Sequence, residues 1–62
     1  MKEEIILLTP EEAAKYLGVL PLTLATWRSK KTHNLPYIKI GRLVKYKKSD
    51  LDNWINQRTI KN

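Results

Sequence analysis

The residues with the clearest chemical potential are the cations in the middle of the chain. Eight basic side chains lie between positions 28 and 48, and no acid lies among them. They are Arg28, Lys30, Lys31, Lys39, Arg42, Lys45, Lys47 and Lys48. All six acids lie outside this stretch, and the formal net charge is +6. A concentrated positive field attracts polyanions, most commonly nucleic acid. A solvated basic surface without a partner is the alternative interpretation.

Hydroxyl side chains recur every three residues just before this stretch and at its start. They belong to Thr23, Thr26 and Ser29, and Lys30 follows directly. Hydroxyls bind phosphates and base edges, whereas threonine methyls, Ala25 and Leu22 offer apolar contact to thymine methyl groups. We predict phosphate or base-edge contacts for the hydroxyls and a phosphate contact for Lys30. A plain exposed helix face is the alternative.

Little in the chain offers enzymatic or metal chemistry. It has one histidine, His33, and no cysteine. One imidazole without thiolates cannot form a zinc site of the usual kind, and no scaffold for a Ser-His-Asp set is visible. The two glycines, Gly18 and Gly41, do not form a phosphate-binding loop. We therefore predict no enzymatic activity, no cofactor and no metal.

The length of 62 residues allows one domain with one modest core. We predict a single domain over residues 1–62, with its core between about 7 and 58. The lack of cysteine favours a reducing compartment, and the apolar run from Ile5 to Leu8 is too short for a signal peptide or membrane span. We expect a cytoplasmic protein without membrane contact, associated with the nucleoid when bound to DNA.

Two short helices are predicted in the first half of the chain. Thr9 and Glu12 have the spacing of a capping box, Pro10 suits the first helical position, and Gly18 suits the left-handed residue after Leu17. The second helix is predicted to begin at Pro21 and to fade between 30 and 32. Its two faces carry Leu20, Leu24 and Trp27 on one side and Leu22, Ala25, Thr26 and Ser29 on the other.

A two-stranded hairpin is predicted around Gly41-Arg42. Apolar residues alternate with Lys39 on one arm and with Lys45 on the other, which predicts one apolar face against the helices. That face would comprise Ile38, Ile40, Val44 and Tyr46. Lys39, Arg42 and Lys45 would then contact phosphates, or Arg42 would enter a narrow minor groove. The alternative is that these cations form the solvent face of an amphipathic hairpin.

A last helix is predicted from about Lys48 or Ser49 to about Arg58. Its buried stripe would comprise Leu51, Trp54 and Ile55. Both tryptophans and Tyr46 are interpreted as core residues, and Tyr37 as less buried. The order α-α-β-β-α predicts a small α+β fold, a winged helix-turn-helix, in which the second helix is presented to a DNA groove.

These segments resemble the excisionase-type DNA-binding domains. Residues 7–19, Leu-Leu-Thr-Pro-Glu-Glu-Ala-Ala-Lys-Tyr-Leu-Gly-Val, are similar to the family's opening, and Thr23–Trp27 to its second helix. Leu35–Tyr46 fits its wing, and Ser49–Ile55 its closing helix. The resemblance covers about residues 7–56. It departs at Leu20-Pro21-Leu22, where the family usually has polar or basic residues, and at Leu43, where the wing is often basic.

The resemblance implies a compact relative of the MerR-type winged helix that binds double-stranded DNA. It implies an accessory role in site-specific recombination of a phage or mobile element, with a recombinase or integrase as partner. One small module contacts limited surface, so we expect several copies along the DNA or a partner protein. A small transcription regulator of the same fold is the first alternative. A protein-interaction adaptor that uses the Leu20-Pro21-Leu22 patch is the second.

Overall fold

The computed structural model describes residues 4–60. Its elements are β1 (Leu7–Leu8), α1 (Pro10–Leu17), α2 (Pro21–Lys30), β2 (Ile38–Ile40), β3 (Leu43–Lys47) and α3 (Lys48–Gln57). This order confirms the predicted small α+β winged helix-turn-helix. The structure adds β1, a strand of two residues that the sequence pattern did not predict, because so short a segment shows no alternation of its own.

The ends of α1 form as their local sequence predicts. The N–H of Glu12 donates to Thr9 Oγ1 at 3.1 Å, and the N–H of Thr9 donates to Glu12 Oε1 at 2.9 Å, which completes the capping box. Gly18 adopts a φ of 77°, the left-handed conformation that closes the helix. Helix α1 therefore ends at Leu17, and the chain turns at Gly18 before α2 begins at Pro21.

The start of α2 differs from the prediction at one residue. Leu24 is fully buried, but Leu20 is 69% exposed, so the proposed shared face is wrong for Leu20. The reason is that Leu20 precedes the helix with an extended backbone (φ −82°, ψ 147°), and helical spacing does not govern its side chain. The helix ends at Lys30, within the predicted range, and Lys31 follows it in the left-handed region at φ 53°.

The hairpin register also corrects the prediction. Ile38 pairs with Lys45, Lys39 with Val44 and Ile40 with Leu43. Directly opposed residues share a face, so Ile38 and Ile40 lie opposite the face that carries Val44 and Tyr46. The single apolar face that alternation predicted is therefore wrong.

The two-residue turn explains this outcome. Gly41 has a φ of 58° and Arg42 does not have a positive φ, the sign pattern of a type II′ turn with glycine first. Such a turn forces Ile40 to pair with Leu43, and this fixes every later pair. Turn geometry therefore overrides the apolar alternation.

The sheet has the order β1-β3-β2 and is antiparallel throughout. Leu8 of β1 lies opposite Tyr46, the largest fully buried side chain. The buried core consists of Ala13, Ala14, Leu24, Leu35, Tyr46 and Leu51. Packed against it are Leu8, Leu17, Val19, Trp27, Val44 and Trp54, all partly buried. The central strand thus joins all three helices to one core within residues 4–60.

The tryptophans lie at the edge of the core and not at its centre. Trp27 and Trp54 are half-buried, with ring centroids 5.7 Å apart. Ile55, predicted as buried, is 37% exposed and lies at the rim one turn beyond the fully buried Leu51. Tyr46 is buried and Tyr37 is 43% exposed, as predicted.

The phenol of Tyr46 has a specific partner. Arg28 Nη1 donates to Tyr46 Oη at 2.7 Å, and the guanidinium carbon lies 5.9 Å from the ring centroid. Because a buried phenol needs a hydrogen-bond partner, this contact satisfies Tyr46 and also holds the side of α2 against β3.

A surface cluster joins α1 to α3. The Tyr16 hydroxyl donates to Asp52, whose other carboxylate oxygen lies 3.1 Å from Lys48 Nζ. The Tyr16 hydroxyl and then the Lys48 ammonium hold the pKa of Asp52 below its usual range. The bond to Asp52 in turn raises the pKa of Lys48.

Replacing Tyr46 by Phe should test the phenol–guanidinium bond without removing the ring. We expect a loss of about 1–3 kcal/mol in the free energy of unfolding, measured with urea, because Arg28 would remain half-buried without its partner. Tyr37→Phe is the matched control and should change stability by less than about 0.5 kcal/mol. A Tyr46→Phe protein as stable as the parent would show that the bond contributes nothing.

Asp52→Asn should lower the melting temperature in a pH-dependent way. A carboxylate whose pKa is depressed on folding stabilises the fold above its unfolded pKa, and this contribution is lost as the pH falls through the folded pKa. The difference between parent and variant should thus be present near neutral pH and be lost in acid, as the pH falls through the lowered pKa of Asp52. Tyr16→Phe should give a smaller loss with the same pH dependence. A difference that does not change with pH would mean that packing, and not charge, is responsible.

Candidate nucleic-acid interface

One side of α2 faces away from the core. Leu22, Thr26, Ser29 and Lys30 are all exposed, and their spacing of i, i+4, i+7 and i+8 places them on one ridge opposite Leu24. Three of the predicted contact residues therefore lie together. Thr23 is half-buried and lies beside this ridge rather than on it.

The hydroxyl of Thr26 is already used within the helix. Thr26 Oγ1 donates to the carbonyl of Leu22 at 3.0 Å. A hydroxyl has a single hydrogen to donate, so Thr26 retains only its lone pairs and its methyl group for another molecule. The ridge is consequently less polar than its residue types indicate.

The wing cations lie on different sides of the hairpin. Arg42 is exposed in the turn at the tip. Lys39 is exposed on the face that carries Val44 and Tyr46, whereas the half-buried Lys45 lies on the other face. The structure therefore brings Lys39 to the side of the wing that faces the helices and separates it from Lys45.

An acid lies near Lys45 despite the absence of acids in its stretch of sequence. The pKa of Glu12 is lowered, chiefly by the N–H and hydroxyl of Thr9, and additionally by the charge of Lys45. Exposure distinguishes the wing cations more clearly, because Lys39 and Arg42 are exposed whereas Lys45 is half-buried.

Arg28 has a role that the sequence prediction did not assign. Its bond to Tyr46 fixes the contact between α2 and the strand that continues into the wing. Arg28 is thus a positioning residue, which sets the angle between the exposed ridge of α2 and the hairpin. The sequence offered a signal, because Arg28 follows Leu24 by four residues and so lies on the buried side of the helix.

The loop between α2 and β2 is held from two sides. Lys31, His33 and Asn34 have φ values of 53°, 67° and 48°, which non-glycine residues rarely adopt. The His33 carbonyl accepts bonds from Trp54 Nε1 at 2.7 Å and Arg58 Nη2 at 2.9 Å, and its ring stacks on Trp27 at 4.1 Å. These contacts fix the point at which the wing begins, so His33 has a structural function.

A cleft of about 240 Å³ lies beneath this loop. Leu24, Trp27, Arg28, Leu35, Tyr37 and Tyr46 are among the residues that line it. It is smaller than the roughly 300–1,000 Å³ of typical small-molecule sites. Across residues 4–60, no three metal-ligating side chains converge, and no helix is long and apolar enough to span a bilayer.

Comparison with known proteins agrees with this architecture. Residues 7–59 match the model of a family described as a helix-turn-helix domain, which includes the excisionase-type DNA-binding domains. The predicted resemblance is thereby confirmed. No curated protein sequence matches the chain. Members of this family typically bind DNA and are not enzymes. Since the match covers most of the sequence, the chain belongs to the helix-turn-helix domain family.

Proposed function

We propose that this chain binds double-stranded DNA, with α2 in the major groove and the β2–β3 wing along the adjacent backbone. The exposed ridge of α2 carries the proposal. It follows the glycine turn of a helix-turn-helix, and no acid occurs between Glu12 and Asp50 to repel a duplex. A helix in this position has the diameter and the exposure that the major groove admits.

Phosphate contacts are assigned to the cations around the ridge. Lys30 is the last residue of the ridge, at the C-terminal end of α2, and Arg42 and Lys39 are exposed on the wing. Lys45 is a weaker contact, since it is half-buried on the face of the hairpin opposite Lys39. Arg42 has a second option at the hairpin tip, where a narrow minor groove attracts arginine. These contacts would set position and register on the duplex.

The hydroxyl residues of α2 are assigned to the groove itself. Ser29 and Thr26 lie on the exposed ridge, where they would meet base edges. Thr23, half-buried beside it, is better suited to a phosphate at the groove's wall. In this arrangement the wing contacts the DNA backbone, and α2 contacts the bases in the major groove.

We further propose a role as an accessory factor in excision, in which several copies or a recombinase supply the remaining affinity. The resemblance to excisionase-type domains over about residues 7–56 supports this. The absence of cysteine favours a cytoplasmic protein, which would associate with the nucleoid when bound to DNA. A transcription regulator with the same fold is the alternative. Gene neighbourhood distinguishes them, because an adjacent integrase gene favours excision.

Salt dependence tests the duplex-binding proposal. With four to six phosphates neutralised, log K against log salt should have a slope of roughly −4 to −5, measured by fluorescence anisotropy on duplex DNA. Arg42→Ala and Lys39→Ala should each flatten this slope by about 0.9, and Lys45→Ala by less.

The matched control is Lys15→Ala, which removes an exposed cation on α1 and should leave the slope unchanged. Equal slopes for Arg42→Ala and the parent would remove the wing from the mechanism. An absence of any salt-dependent binding would overturn the proposal as a whole and favour the adaptor function of the Leu20-Pro21-Leu22 patch.

A further inference from the structure

The N-terminal half of α2 presents apolar groups outward. Leu22 is 73% exposed on the ridge, and Leu20, just before the helix, is 69% exposed. No charged or amide side chain occurs between positions 20 and 27. In a helix that enters the major groove, the N-terminal residues are the ones that meet base edges. The part of α2 in the reading position therefore offers aliphatic surface.

The Thr26 hydroxyl is the one polar side-chain group on this part of the ridge, and its hydrogen is already used in a hydrogen bond. The Thr26 hydroxyl hydrogen is bonded to the Leu22 carbonyl, so it is not free for the acceptors of guanine. Its methyl and the Leu22 side chain remain. Hydrogen-bond readout is accordingly weak at this end of the helix, and apolar contact is the chemistry that remains.

We propose that α2 reads thymine through its C5-methyl group, with Leu22 as the principal contact. This inference rests on the proposed binding of double-stranded DNA and specifies which base the helix selects. Among the bases in the major groove, thymine alone presents a methyl group. Leu22 against that methyl removes apolar surface from water, whereas Leu22 against a cytosine amino group would leave a donor desolvated and unpaired.

Charge complementarity identifies DNA, and not an apolar protein surface, as the occupant. Lys30 lies on the same ridge as Leu22, and the wing brings Arg42 and Lys39 without an acid in the sequence between them. A protein partner for this patch would need an acidic rim around an apolar centre. A duplex supplies both features at once, as phosphates flank the groove and methyl groups lie within it.

Uracil substitution isolates the methyl group. The parent protein would first select duplexes from a library of about 20 random base pairs, and the most enriched duplex would then be remade with one thymine at a time replaced by deoxyuridine. Base pairing is unchanged and only the methyl is lost. At one or more positions we expect about a fourfold loss of affinity, the value for one buried methyl group.

Leu22→Ala links the effect to this side chain. Because Leu22 is largely exposed, the variant should melt as the parent does, bind the thymine duplex more weakly and show no further loss on the uracil duplex. The matched control is Ile60→Ala, which removes part of an aliphatic side chain that is 84% exposed outside the interface. It should keep the full fourfold discrimination.

The outcomes separate the two proposals. Equal affinity for thymine and uracil at every position, with salt-dependent binding intact, would overturn thymine reading and leave duplex binding in place. Undiminished discrimination in Leu22→Ala would overturn the assignment to Leu22. Failure to bind any duplex would overturn the proposed function itself. Binding of a protein to the Leu20-Pro21-Leu22 patch without DNA binding would also overturn it.

Discussion

The burial of Tyr46, with its phenol bonded to Arg28, is the interaction on which the arrangement of this small protein depends. Tyr46 is 1% exposed and its ring occupies the core, and the strand that carries it pairs with β1. Its hydroxyl accepts a hydrogen bond of 2.7 Å from Arg28 Nη1 on α2. A fold built from so short a chain has few buried side chains. One residue that contacts the core, the sheet and α2 therefore sets how α2 and the hairpin are oriented relative to each other.

Features that depend on neighbouring residues could be predicted from the sequence. The capping box of Thr9 and Glu12, the left-handed Gly18 and the turn at Gly41 each follow from local chemistry, and with them the bounds of the helices and the hairpin. The face of Lys39 could not be derived from alternation. The pairing of Ile40 with Leu43 across the turn determines the face of the hairpin on which Lys39 lies.

Contacts between distant residues account for the remaining differences. Strand β1 exists because Leu7 and Leu8 pair with Lys47 and Tyr46, some forty positions away, and no local pattern signals such pairing. The same applies to Asp52, which meets Tyr16 of α1 only in the folded chain. The charge pattern of the sequence shows that the cations are concentrated between positions 28 and 48, but the fold decides on which face of the hairpin Lys39 and Lys45 lie.

We propose that the α2 ridge and the wing tip form one duplex-binding surface, and changes in amide NMR shifts on titration with duplex DNA would reveal that surface residue by residue. We expect the largest changes at Leu22, Thr26, Ser29 and Arg42, with little change around Tyr16 and Asp52 on the α1–α3 side. Changes confined to the α1–α3 side, with α2 and the turn unaffected, would show that the duplex does not bind to α2 and the wing.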